Sequence, residues 1–148
     1  MAKVVNITEA VTIALHSVII IAKNKAKFVN VNFLSKATGS SKFHIAKVLQ
    51  KLVKDGILGS NRGPAGGFFL IDAPKNITLL EIYESIEGNI VVSRCPLGKE
   101  TCPFGKCVFE DLTMDMTKNF KDYLESRTVG SYMKDKDYKP KVRKLESL

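Results

Sequence analysis

The sequence predicts a mostly α fold carrying one small β hairpin. Two observations lead there: apolar residues recur at helical spacing in five separate segments, and strand-like stretches occur only on either side of a Gly/Pro-rich turn near residue 64. A third bears on size. At 148 residues, 45% of them hydrophobic, the chain can bury an ordinary core without disulfide staples.

The elements follow in order. Residues 9–22 carry a dense apolar pattern (Ala10, Val11, Ile13, Ala14, Leu15, Val18, Ile19) behind Thr8 as N-cap, which predicts a buried first helix. A short helix over 31–38 closes at Gly39. Ser40 or Ser41 then caps a third helix, in which Ile45, Val48, Leu49 and Leu52 stand at i, i+3, i+4, i+7 and Asp55-Gly56 ends it. Two helices joined by a tight glycine turn form a helix-turn-helix candidate. Strand-like stretches at 57–60 and 67–71 flank Asn61-Arg62-Gly63-Pro64-Ala65-Gly66, a hairpin that would make a wing. Thr78-Leu79-Leu80-Glu81 is a capping box opening a helix through Glu87, with Gly88 at its end.

After a cysteine-bearing loop, Val108, Leu112, Met116, Phe120, Tyr123 and Leu124 recur at helical spacing through about Arg127. Such a stripe, on a chain that already has its core, serves either a second copy of the chain or its own domain. The division expected is a winged helix-turn-helix domain over 1–88, a cysteine loop over 89–107, a long dimerisation helix over 108–133 and a flexible charged tail over 134–148.

The net charge of +8 is segregated. Residues 1–70 hold nine lysines and Arg62 against only Glu9 and Asp55, and the remainder is neutral. That is the electrostatic footprint of a polyanion partner, most often nucleic acid. Opposite the apolar stripe of the third helix stand Lys47, Lys51 and Lys54, while Ser41, Lys42 and His44 occupy its first turn. These would face the major groove, and the wing Arg62 a narrow minor groove.

All three cysteines fall within thirteen residues, Cys95, Cys102 and Cys107, among prolines and glycines. An odd number of thiolates on one loop reads as a soft metal site, for an iron-sulfur cluster, zinc or Cu(I). The longest apolar run, 11–22, is too short and too interrupted to span a membrane, and no convincing signal peptide precedes it, so a cytoplasmic location is expected. No nucleophile-base pair or phosphate-cradling loop argues for an enzyme, and His16 reads as lying in or beside the core.

Ile45, Leu49, Leu52 and Lys54-Asp55-Gly56-Ile57-Leu58, followed by Ser60 to Leu70 with its Arg62-Gly63-Pro64-Ala65-Gly66-Gly67-Phe68 wing, resemble the Rrf2 family of winged-helix transcription regulators, in particular its IscR- and NsrR-like cluster-binding members. The resemblance covers residues 1 to about 133. It implies a homodimer on a pseudo-palindromic double-stranded operator, sensing redox, nitric oxide or iron-sulfur status through a 2Fe-2S or 4Fe-4S cluster on the three cysteines. For the fourth ligand it offers Glu9 of the partner subunit, which aligns with an acidic ligand in some relatives, with Glu110 as the local alternative. Cys-x6-Cys-x4-Cys differs from the more even spacing common in the family, and His44 stands where many members carry tyrosine. The competing readings are a cluster-free thiol or zinc-dependent regulator, and a redox or electron-transfer protein with a basic docking face.

Overall fold

The computed structural model describes residue 5 and residues 7–136. Five helices, α1 (Glu9–Lys23), α2 (Val31–Thr38), α3 (Lys42–Lys54), α4 (Leu79–Glu87) and α5 (Leu112–Ser126), accompany a hairpin of β1 (Leu58–Asn61) and β2 (Gly67–Leu70). Short 3-10 turns lie at Pro74–Asn76 and Val129–Tyr132. Among the described residues no helix is long and apolar enough to cross a membrane.

Local chemistry sets the boundaries. The Thr8 hydroxyl accepts from Val11 N–H to start α1, and Asn30 does the same for α2 through Phe33 N–H. Gly39, at φ 76°, turns the chain between α2 and α3, a left-handed conformation that costs glycine little. Ser41 then caps α3 by accepting from His44 N–H. Both halves of the Thr78/Glu81 capping box form at α4.

α1 is the centre of the molecule. Val11, Ile13, Ala14, Ser17, Val18, Ile19 and Ile21 are all buried, so the helix is covered on every side but that of Glu9, Thr12 and His16, chiefly by α4, α3, β2 and α2. The inward stripe of α3 (Ile45, Val48, Leu49, Leu52) completes this core together with Leu34, Leu58 and Ile82. His16 lies at its edge, in a cavity of about 280 Å³ shared with Leu79, Leu124 and Tyr132, where desolvation lowers its pKa.

The last segment departs from expectation at both ends. α5 covers 112–126 rather than 108–133, because residues 107–110 form a turn in which Glu110 sits at φ 49°, outside helical space. After α5 the chain returns to its own domain. Thr128 bridges Thr78, Val129 N–H donates to the Ile77 carbonyl, Leu79 N–H donates to that of Arg127, and Val129 is fully buried. Lys23 fastens this return by donating to the carbonyls of Tyr132 and Asp135. Of the expected charged tail, residues 137–148 lie outside the described residues.

The stripe on α5 is divided between its own domain and solvent. Phe120 and Leu124 pack towards α4, with the Phe120 ring edge-on to Tyr83 at 5.3 Å. Leu112 and Met116, about 40° apart on the helix, remain exposed at 56% and 39%.

The wing is anchored to the helices by backbone. β1 and β2 pair antiparallel from Leu58↔Leu70 to Asn61↔Gly67, and Phe68 exchanges both of its backbone hydrogen bonds with Val29, just ahead of α2. Gly67 lies so close to this bridge that a Cβ there would meet the Val29 carbonyl carbon and oxygen at 2.6 Å. Gly67→Ala is therefore expected to lower stability by about 1–3 kcal/mol, since backbone and not a yielding side chain must move. Chemical denaturation measures the loss, and hydrogen exchange at Val29 and Phe68 should report the opened bridge.

Candidate nucleic-acid interface and cysteine loop

α3 has two chemically distinct faces. With the apolar stripe directed inward, a rotation of 100° per residue places Phe43, Lys47, Gln50 and Lys54 together on the opposite side. All four are exposed. Lys51 lies at the margin of that face with its ammonium 3.7 Å from Asp55, whose carboxylate also accepts from Ser85 of α4 at 2.6 Å. Lys47 and Lys54 have no carboxylate partner among the described residues. Lys42 and Arg62 are likewise exposed, Arg62 at the hairpin tip where Gly66 N–H closes the turn onto the Gly63 carbonyl.

Two of the residues assigned to this face by sequence have other engagements. The Ser41 hydroxyl is the α3 cap, and His44 turns to the flank, with Nδ1 3.5 Å from Glu9 Oε1 at the start of α1. The first-turn surface is thus Lys42 and Phe43. Phe43 and Gln50 stand outside the residues expected from sequence, which were first-turn donors and basic side chains; a helical projection at 43, 47, 50 and 54 finds them.

The cysteine loop repeats one turn three times. Gly98 N–H donates to the Cys95 carbonyl, Gly105 N–H to that of Cys102 and Glu110 N–H to that of Cys107. In each turn the fourth residue is left-handed, at φ 65°, 70° and 49°. The first two read Cys-Pro-x-Gly, in which proline presets the second position and glycine accepts the fourth. In the third, Glu110 takes the left-handed position without being glycine, a mildly costly conformation, and its carboxylate lies 2.7 Å from Lys106 Nζ.

At the first of these turns the backbone N–H groups also reach the sulfur that opens it. At Cys95, the amides of Lys99, Leu97 and Gly98 hydrogen-bond the thiol and lower its pKa, with the Lys99 charge adding to the effect. Backbone concavities of this kind suit the anionic sulfurs of thiolate-held metals. The donor chemistry therefore fits a soft metal or cluster. The described residues of one chain do not gather three or more ligating side chains at one point, so the loop must close further or draw on a second chain to bind one. Glu9 and Glu110, the two carboxylates considered for the remaining position, are engaged with His44 and Lys106 respectively.

A family model described as Rrf2, iron-dependent transcriptional regulator, matches residues 7–135. The chain is 27% identical over 132 residues to the HTH-type transcriptional regulator IscR of Vibrio campbellii, an alignment covering 88% of this chain and 74% of that one. For IscR of Klebsiella pneumoniae the identity is 27% over 105 residues, covering 70% and 64%, so the chain spans just under two thirds of that relative. Among solved structures, CymR, the global cysteine regulator of B. subtilis, superposes with TM-score 0.72 at 21% identity, covering 87% of this chain and 96% of that one. IscR of T. potens superposes with TM-score 0.71 at 18% identity, covering 89% and 88%. These two likenesses establish the fold.

The amide cradle generates a direct test. In metal-free protein, the pH profile of Cys95 alkylation by iodoacetamide, followed by peptide mass mapping, is expected to have its midpoint below that of a cysteine in an unstructured peptide. A depressed pKa supplies thiolate at lower pH. A profile coinciding with the peptide's would remove the cradle.

Proposed function

The chain belongs to the Rrf2 family of transcriptional regulators, which are not enzymes, and from that premise we propose that it is a dimeric, sequence-specific DNA-binding regulator whose binding responds to an iron-sulfur cluster held by Cys95, Cys102 and Cys107. The observation that carries this reading is the threefold repeat of Cys-initiated turns directly ahead of α5, on a chain whose α3 presents an outward basic face. The description of the family as iron-dependent agrees with it.

In this reading α3 enters the major groove with Lys42, Lys47 and Lys51 on phosphates or base edges, and Arg62 enters the adjacent minor groove. Ser41 and His44 act from the first turn, the one as cap and the other through its link to Glu9. A second copy covers Leu112 and Met116 of α5, which places two α3 helices on two half-sites of a pseudo-palindrome. The cluster, when bound, supplies a center whose charge and ligation change with redox state, nitric oxide or iron supply. Glu9 of the partner subunit is the favoured fourth ligand, with Glu110 as the local alternative. Glu9 also provides the coupling: a carboxylate that either holds His44 at the start of α3 or turns to the partner's iron has different contacts in the two states, as a switch requires.

A cluster-free thiol regulator is the second reading, favoured by the activated Cys95. Metal analysis separates the two. Protein purified without oxygen is expected to be coloured and to contain iron and acid-labile sulfide, most of which Cys102→Ala removes. Glu9→Ala is expected to keep the cluster while shifting its spectrum, and Glu110→Ala to leave it unchanged; the reverse pattern assigns the ligand to Glu110. Colourless anaerobic protein, with or without zinc, would leave the thiol or zinc readings in its place.

The DNA contacts are tested by salt titration. Lys47→Ala should lower the magnitude of the log K against log salt slope by about one, as the loss of one phosphate contact does. Arg62→Ala should cost about 1–3 kcal/mol on the preferred sequence and less on random DNA. Equal losses on both would make Arg62 a phosphate contact.

A further inference from the structure

Phe43 is 82% exposed on the first turn of α3. Every other large aliphatic residue of that helix is directed inward: Ile45, Val48, Leu49 and Leu52 are buried, and Val53 is partly buried against the core. Burial or folding therefore gives no reason for an aromatic ring at this position. It is not part of a larger apolar surface on this helix either. Its companions on the same face are Lys47, Gln50 and Lys54, and Lys42 precedes it. A single ring among ammonium groups does not make the contiguous apolar patch that a protein partner covers, whereas the cations match a polyanion.

We infer that Phe43 packs on the 5-methyl group of a thymine and so fixes one base of each half-site. The inference rests on the reading of α3 as the recognition helix and adds a residue to it. The N-terminal turn is the part of such a helix that reaches base edges. Polar donors and acceptors fill the major-groove edges of guanine, cytosine and adenine, and the thymine methyl is the one apolar group there that a phenyl ring can cover. Lys47, one helical turn further along the same face and about 6 Å away along the axis, sits over phosphate or a neighbouring base when the ring is seated. The ring thus supplies discrimination that the lysines, as mobile point charges, do not.

The test uses the full chain and a duplex enriched by it from a random-sequence pool. Each thymine of that duplex is replaced in turn by deoxyuridine, which keeps the pairing edge and lacks the methyl group. One thymine per half-site is expected to show about a fourfold loss of affinity, the worth of one buried carbon. Phe43→Ala should bind the thymine and deoxyuridine duplexes equally, with affinity for random DNA changed less than twofold. Phe43→Leu should keep part of the preference. Removing an exposed ring should leave thermal stability unchanged, which circular dichroism checks. Insensitivity to deoxyuridine at every position, or an undiminished thymine preference in Phe43→Ala, overturns the inference. So does an equal loss on enriched and random DNA, which would place Phe43 in a general contact. If wild-type protein enriches no sequence, the recognition-helix reading fails first, and that result is visible before any variant is made.

Discussion

The molecule depends on the near-complete burial of α1. Apart from His16, its ionisable residues, Glu9 and Lys23, stand at its ends, and there the helix ties the remaining elements together. At the N-terminal end, Thr8 donates to Glu87 of α4 and Glu9 faces His44 of α3. At the other end, Lys23 holds the carbonyls of the segment that follows α5. One apolar strut therefore joins α3, the capping-box helix α4 and the return from α5.

The division of labour on α3 follows from the same burial. Its inner side is taken up by α1, α2, α4 and β1, so the opposite face is left to solvent or to a ligand. Near the C-terminal end of the helix, Lys51 is drawn to Asp55, which is tethered to Ser85, while Lys42, Lys47 and Lys54 make no ion pair among the described residues. The wing keeps its place beside this face through the backbone bridge of Val29 and Phe68, which needs glycine at 67 because carbonyl meets Cα there.

The cysteine loop is held together differently from the rest of the chain. Beyond Ile90 at its start, which packs against the Leu79, Leu80 and Leu124 cluster, it adds nothing to the two hydrophobic clusters and leaves Leu97, Phe104 and Val108 exposed. Its order comes from three local turns and from pairs such as Arg94 with Asp111 at 3.4 Å. Local turns without a packed core have a low cost of rearrangement, so this segment can change shape without disturbing the two clusters.

Much of this was legible in the sequence, because it is local chemistry. The Thr8, Ser41 and Thr78 caps, the Gly39 turn, the apolar stripe of α3 and the hairpin around Arg62 are each set by residues within a few positions of one another. The Cys-Pro-x-Gly repeats were equally local and stood in plain view; their shared N–H geometry became evident only with the backbone. What tertiary structure alone decided involves residues far apart in the chain. Glu9 meeting His44, Lys23 holding Tyr132, Val129 returning to Ile77 and the splitting of the α5 stripe between α4 and solvent depend on how helices dock. Periodicity states that a face is apolar. Only packing, which sets the relative rotation and distance of two helices, states what that face meets.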